Sequence, residues 1–143
     1  MSLTELMRQA RRSGDLAALN AAIPYHRYLG LEVRRDPEGL LLVMPFDDKL
    51  IGNPTLPALH GGVTGALLEC AAIATVMAEV DTEALPRIVN ISIDYLRPGR
   101  PLNTLARGRI TRQGRRVVNV QAQAWQQSQD EPIATASAHL LIG

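Results

Sequence analysis

The sequence predicts an α+β fold in which one long apolar helix lies against an antiparallel sheet. Residues 61–78 are almost wholly apolar or small, and a helix without a polar face has to be buried. Two strand patterns precede this stretch, within residues 30–46, and four follow it. Consecutive strands joined by short turns pair antiparallel, and a single sheet with one apolar helix buries that helix across one face.

The chain ahead of the first strands is expected to be helical. Residues 2–12 have apolar side chains at helical spacing, Gly14 interrupts this helix, and residues 15–22 suit a second helical piece. We therefore separate an N-terminal helical extension, residues 1–22, from a main domain, residues 23–143.

The main domain is expected to open with a hairpin. Residues 25–28 lead into residues 29–33, which have the pattern of a first strand. The sequence Asp-Pro-Glu-Gly at 36–39 has the composition of a turn, and residues 40–45 form a second, apolar strand. The hairpin thus occupies residues 30–46.

The helix predicted over residues 61–80 contains one carboxylate, Glu69, in the middle of its apolar run. Burying a carboxylate costs several kcal/mol unless it is paired, hydrogen-bonded or neutralised, so a buried Glu69 needs a reason, structural or catalytic. Small and apolar residues share its face at 3.6 residues per turn: Gly62, Gly65, Ala66, Ala72, Ile73 and Val76. The polar, glycine-rich segment His60-Gly61-Gly62 brings free backbone N–H groups to the start of the helix.

Four strands are predicted after the helix, with short turns between them. They cover residues 88–96, 103–112, 116–126 and 132–142. One sheet covers only one side of a helix, so complete burial of the helix requires a sheet that curls around it or a second subunit that closes the other side.

Composition excludes several classes of function. The net charge is +1, and five aromatic residues in 143 leave little for base stacking, which argues against nucleic-acid binding. A single cysteine and three scattered histidines give no usual zinc pattern, so no metal site is expected.

The N-terminus lacks the apolar core of a secretory signal, and the apolar run 62–78 is short for a membrane span and carries an acid. A cytoplasmic protein without a membrane partner is expected.

The motif residues resemble those of a known family. Asn53, then His60-Gly61-Gly62, six residues and Glu69, followed by a strand ending in Asp-Tyr-Leu-Arg-Pro at 94–98, look like the hotdog-fold acyl-CoA thioesterases of the phenylacetate-pathway (PaaI-like) type. The resemblance runs from about Tyr25 to the C-terminus. It implies a long central helix wrapped by a curved antiparallel sheet of five or six strands, here with a short N-terminal helix added.

The resemblance also implies an activity and a division of labour. The family hydrolyses acyl or aryl-acyl coenzyme A thioesters at the interface of a homodimer, which often pairs again into a tetramer. Glu69 would activate water or attack the carbonyl itself, the Gly61 amide would bind the oxyanion, Asn53 would orient water or substrate, and His60 would support the loop. No cofactor is implied, because coenzyme A is part of the substrate.

Further residues are expected to contact the substrate. Gly62 and Gly65 leave room beside the carboxylate. Asn90 or Ser92 would take an auxiliary polar role at the partner's site, and arginines such as Arg97 and Arg100 suit the phosphates of coenzyme A.

Two alternatives share the fold. An enoyl-thioester hydratase or dehydratase would need a histidine base in the loop ahead of His60, where the sequence has none. A non-catalytic module would bind acyl-CoA without turnover.

Overall fold

The computed structural model describes residues 2–143, which begin with three short helices. Helix α1 spans Leu3–Ser13 and is capped at its start by a reciprocal bond between Ser2 and Glu5. Helices α2 (Ala17–Ala22) and α3 (Pro24–Leu29) follow. The first two helices agree with the sequence prediction.

Helix α3 corrects the interpretation of residues 25–28 as the lead into a strand. Pro24 occupies the first helical position, where its fixed φ is favourable, and Gly30 ends the helix with a φ of 69°. Six residues are too few for an apolar period to stand out, so only these two end signals mark the helix.

The sheet has six antiparallel strands, as the expected fold requires. The strands of the protein are β1 (Glu32–Asp36), β2 (Gly39–Met44), β3 (Ile51–Asn53), β4 (Ala58–Leu59), β5 (Arg87–Tyr95), β6 (Thr104–Gln113), β7 (Val117–Trp125) and β8 (Ala134–Leu141). The main sheet has the order β1-β2-β6-β7-β8-β5, and β3 and β4 form a separate small hairpin that was not predicted. The β1–β2 hairpin and the last four strands confirm the sequence prediction to within a few residues.

Helix α4 (Gly61–Glu79) is the central helix and packs across one face of the main sheet. Three of its own side chains, Leu67, Leu68 and Val76, are completely buried. Helix and sheet lie close together at Gly108 of β6, where a Cβ would be 2.5 Å from the Thr75 hydroxyl oxygen. The arrangement confirms the predicted hotdog architecture, and α4 is its core helix.

The N-terminal helices share a small core with the far end of α4. Met77 of α4 packs there against Met7, Ala10, Leu16 and Leu19. His26 of α3 is also buried, with its Nδ1 atom 2.8 Å from the Asn20 side-chain oxygen. Since the Asn20 amide nitrogen donates to the Leu31 carbonyl, the Asn20 oxygen accepts a hydrogen bond from the Nδ1–H of His26.

Candidate active site

The β3–β4 hairpin contains Asn53 and directly precedes the start of α4. The backbone of Gly52 lies so close to His60 that a Cβ there would be 2.6 Å from the His60 Cα atom. The His60 N–H donates to the Leu50 carbonyl at 2.9 Å. The Asn53 side-chain oxygen accepts from the Thr55 N–H at 3.0 Å, so it fixes its own turn and keeps its amide nitrogen available.

His60 is the N-cap of α4. Its Nδ1 atom accepts from the Gly62 N–H at 2.9 Å, which places the proton of a neutral ring on Nε2. Its carbonyl accepts from the N–H groups of Val63 and Thr64. Among the hydrogen bonds of residues 2–143, none comes from the Gly61 N–H. That donor stands at the positive end of the helix dipole.

Tyr95, at the end of β5, holds the other side of this turn. Its hydroxyl donates to the Gly61 carbonyl at 2.7 Å. A Cβ at Gly65 would lie 3.2 Å from the Tyr95 hydroxyl oxygen and 3.1 Å from Ile93 Cδ1. The space beside Gly65, which the sequence suggested was for substrate, is therefore filled by two side chains of β5.

Glu69 is exposed in the single chain, so its predicted burial is wrong for one protomer. The reason is geometric: the sheet covers only the side of the helix face that contains Gly65, Ala72 and Val76. On the other side of Glu69, Gly62 is exposed and Ala66 and Ile73 are only partly buried. Within residues 2–143, the carboxylate has no hydrogen-bond donor or cation beside it. In the described chain, the Glu69 carboxylate thus lies without a partner beside an uncovered apolar stripe of α4.

Two neighbouring depressions share Arg97, and the first of them adjoins Gly61. One, of about 360 Å³, is lined by Gly61, Tyr95, Arg97 and Leu59, among others. A second, of about 550 Å³, continues past Arg97 to Arg100 and Leu56. Arg97 is 3.8 Å from Glu131 and about half exposed, so its guanidinium is only weakly paired. Gly61 and Arg97 line the first depression, and Arg97 and Arg100 line the second; we call the two together the groove.

Asn90 and Ser92 do not join this groove. Ile91 and Ile93 pack into the core beneath α4, and neighbouring side chains on a strand point to opposite faces. Asn90 and Ser92 therefore point to the outer face of the sheet, away from Gly61.

The edge of β5 is open along its whole length. In the described part of the chain β5 pairs only with β8, and Val89, Tyr95 and Leu96 are each more than half exposed. The opposite edge strand, β1, is covered by charged side chains, which discourage strand pairing. The unpaired edge of β5 is therefore available for pairing with a strand of another chain.

The remaining reactive groups are outside the site. Burial raises the pKa of the Cys70 thiol to about 12, so it is not a nucleophile. No cluster of three or more metal-ligating side chains occurs among residues 2–143.

Sequence and structure comparisons agree on one family. The thioesterase superfamily model matches residues 56–133, more than half of the chain. A medium/long-chain acyl-CoA thioesterase of Escherichia coli, YigI, is 28% identical over 135 residues, which cover 85% of this chain and 86% of YigI.

Solved structures are similar to this chain over most of its length. A Chromobacterium violaceum protein is 36% identical, with a TM-score of 0.80 over 97% of each chain. A Ralstonia eutropha protein described as related to phenylacetic acid degradation is 28% identical, with a TM-score of 0.73 over 83% of this chain and 89% of that one. The protein therefore belongs to the thioesterase superfamily, and it is a thioester hydrolase of the hotdog fold.

Proposed function

We propose that this protein hydrolyses medium- or long-chain acyl-CoA, with Glu69 delivering the nucleophile and the Gly61 amide binding the oxyanion. The observation that carries the proposal is the pairing of a helix-terminal N–H free of any partner in the described chain with an exposed carboxylate two turns further along α4. Acyl transfer needs both parts, a group that attacks the carbonyl and a donor for the charge that develops on its oxygen.

The two parts come from different subunits in this proposal. Eight residues of α-helix separate Gly61 from Glu69, which is about 12 Å along one axis. We infer that the Glu69 acting on a carbonyl held by Gly61 comes from the partner subunit, because Glu69 lies on the side of α4 that its own chain leaves uncovered.

The open edge of β5 supplies the geometry for such a dimer. Pairing of β5 with its copy about a two-fold axis extends the sheet, removes the exposed edge and covers Val89 and Leu96. It also brings the uncovered stripe of each α4 towards the other subunit. A dimer, or a tetramer made of two such dimers, is the expected assembly.

The acyl group is assigned from the uncovered stripe of α4 and from the relative. Val63, Ala66 and Ile73 are partly exposed and apolar, which suits an alkyl chain beside Glu69. The E. coli relative is a medium/long-chain acyl-CoA thioesterase. We expect Arg97 and Arg100, which line one depression, to bind the phosphates of coenzyme A, and a cytoplasmic location fits this substrate.

The direct test measures free thiol released from short, medium, long and aromatic acyl-CoA esters. We expect release to peak at medium or long chains and to fall about 100-fold or more in Glu69→Gln. Glu79→Gln is the matched control, because Glu79 is an exposed acid at the end of the same helix and should keep full activity.

Other outcomes separate the rivals. Unchanged turnover by Glu69→Gln would disprove the proposed role of this residue. Consumption of an enoyl-CoA without thiol release would indicate a hydratase, and tight binding of acyl-CoA without turnover would indicate a binding module.

A further inference from the structure

Tyr95 makes a contact that the proposed chemistry has not used. It is the last residue of β5, 34 positions from Gly61 in the chain, and its hydroxyl donates to the Gly61 carbonyl at 2.7 Å. Its ring also lies over the first turn of α4, because a Cβ at Gly61 would be 3.5 Å from Tyr95 Cε1. Tyr95 is 56% exposed, so burial alone does not explain why its hydroxyl reaches inward.

The hydrogen bonds around Gly61 leave one donor free. His60 fixes the peptide before Gly61, since its carbonyl accepts from Val63 and Thr64. The peptide after Gly61 is fixed twice, at its N–H by the His60 ring and at its carbonyl by Tyr95. Two successive glycines have more backbone freedom than any other residues, so this turn depends on such contacts for a single conformation.

We infer that Tyr95 is a positioning residue for thioester hydrolysis. Its hydroxyl holds the first turn of α4 so that the Gly61 N–H points to where the carbonyl oxygen becomes negative. The inference rests on the proposed function, and it adds a residue that contacts neither the carbonyl nor the nucleophile. Preorganisation of this kind acts on the transition state more than on substrate binding.

The first test is Tyr95→Phe, which removes only the hydroxyl. We expect kcat to fall about tenfold, less than the 100-fold typical for losing an oxyanion donor outright. KM should stay within about twofold and Tm should change little. Tyr28→Phe is the control, because Tyr28 is similarly exposed, stacks on Tyr25 and has no hydroxyl hydrogen bond within residues 2–143. It should behave like the unchanged protein.

A pair of inhibitors separates positioning from general structural support. An acyl-CoA thioether lacks the carbonyl, whereas a trifluoromethyl ketone analogue binds as a charged tetrahedral adduct or hydrate. Tyr95→Phe should weaken the ketone about tenfold and leave the thioether unchanged, because only the ketone uses the oxyanion donor. Equal weakening of both inhibitors would overturn the inference.

Gly65→Ala provides a second route to the same bond. The added Cβ would lie 3.2 Å from the Tyr95 hydroxyl oxygen and 3.1 Å from Ile93 Cδ1, so both side chains have to shift by a few tenths of an ångström. Alanine favours a helix over glycine, which offsets part of the cost of crowding Ile93, so Tm should change little while kcat falls. A kcat within twofold of the unchanged protein in both Tyr95→Phe and Gly65→Ala would refute the positioning role of Tyr95 and leave the proposed function standing. Absence of thiol release from the unchanged protein would instead refute the proposed function, and the inference with it.

Discussion

Replacing Gly61 by proline removes the proposed oxyanion donor while preserving the start of the helix. Gly61 is the first residue of α4, a position at which proline is favoured. His60 precedes it with φ −64° and ψ 131°, the extended conformation that a residue before proline adopts. The Gly61 N–H makes no hydrogen bond among residues 2–143, so its loss breaks no described contact.

The expected effect follows from these contacts. Loss of one oxyanion donor lowers kcat about 100- to 1,000-fold, or about 2.7–4 kcal/mol of transition-state stabilisation. Folding stability should not fall, because a proline at a compatible position restricts the unfolded chain and adds about 0.4–1 kcal/mol. The new Cβ would lie 3.5 Å from the Tyr95 ring, an ordinary contact distance. Catalysis and stability should therefore change in opposite directions.

Steady-state hydrolysis of a medium-chain acyl-CoA measures kcat, and thermal unfolding measures stability. Gly61→Ala is the matched control, since it adds the same Cβ and retains the N–H. It should keep kcat within about threefold of the unchanged protein, on the scale of a small change in packing. A folded Gly61→Pro protein with unchanged kcat would refute the role of this amide.

Two further predictions concern stability. Gly108→Ala places a Cβ 2.5 Å from the Thr75 hydroxyl oxygen and should lower the free energy of unfolding by about 1–3 kcal/mol through overpacking. Adding Thr75→Ala should recover part of the lost Tm. An unchanged Tm in the Gly108→Ala protein would contradict the close contact. Burial lowers the pKa of His26 below its ordinary 6.5. The contribution of the buried, neutral ring to the free energy of unfolding is therefore complete above pH 6.5 and is lost as the pH falls from 6.5 towards the folded-state pKa. Thermal unfolding should show a smaller drop in Tm between pH 7 and pH 5 for His26→Gln, and an equal drop would exclude His26 as a source.

The fold was largely predictable because its main signal is local. The apolar run of α4 and the alternation in the last four strands identify the helix and the sheet directly. The β3–β4 hairpin is too short to show alternation, and two of its five strand residues, Gly52 and Asn53, are typical of loops. Its pairing is set by its neighbours in space.

The parts of the candidate site could be proposed from the sequence, whereas their surroundings could not. His60, Gly61 and Glu69 were predicted as site residues because a glycine-rich helix start and a lone acid are visible in the sequence, and their roles stay predictions. Helical spacing places Gly65 on the face of Glu69 but does not reveal that Tyr95 and Ile93 fill the space beside it. Tyr95 ends a strand within the family motif, and only the folded chain shows that its hydroxyl reaches Gly61.

The predicted burial of Glu69 was wrong for one protomer. The composition of α4 shows that the helix has to be covered, but it does not show whether the same chain or a second chain covers it. The sheet covers one side of α4, and the side with Glu69 and Ala66 stays open. A second copy of the chain covers that side in the proposed dimer. The apolar character of the whole helix is then explained by the assembly.

Complementation between subunits tests most directly whether two chains build one site. Glu69→Gln and Gly61→Pro, each nearly inactive alone, would be co-expressed with different affinity tags, and the mixed dimer would be purified through both. It contains one site with the native Gly61 of one chain and the native Glu69 of the other, so we expect about half the activity of the unchanged dimer. A mixed dimer as inactive as its two parents would show that Gly61 and Glu69 do not act across the subunit interface.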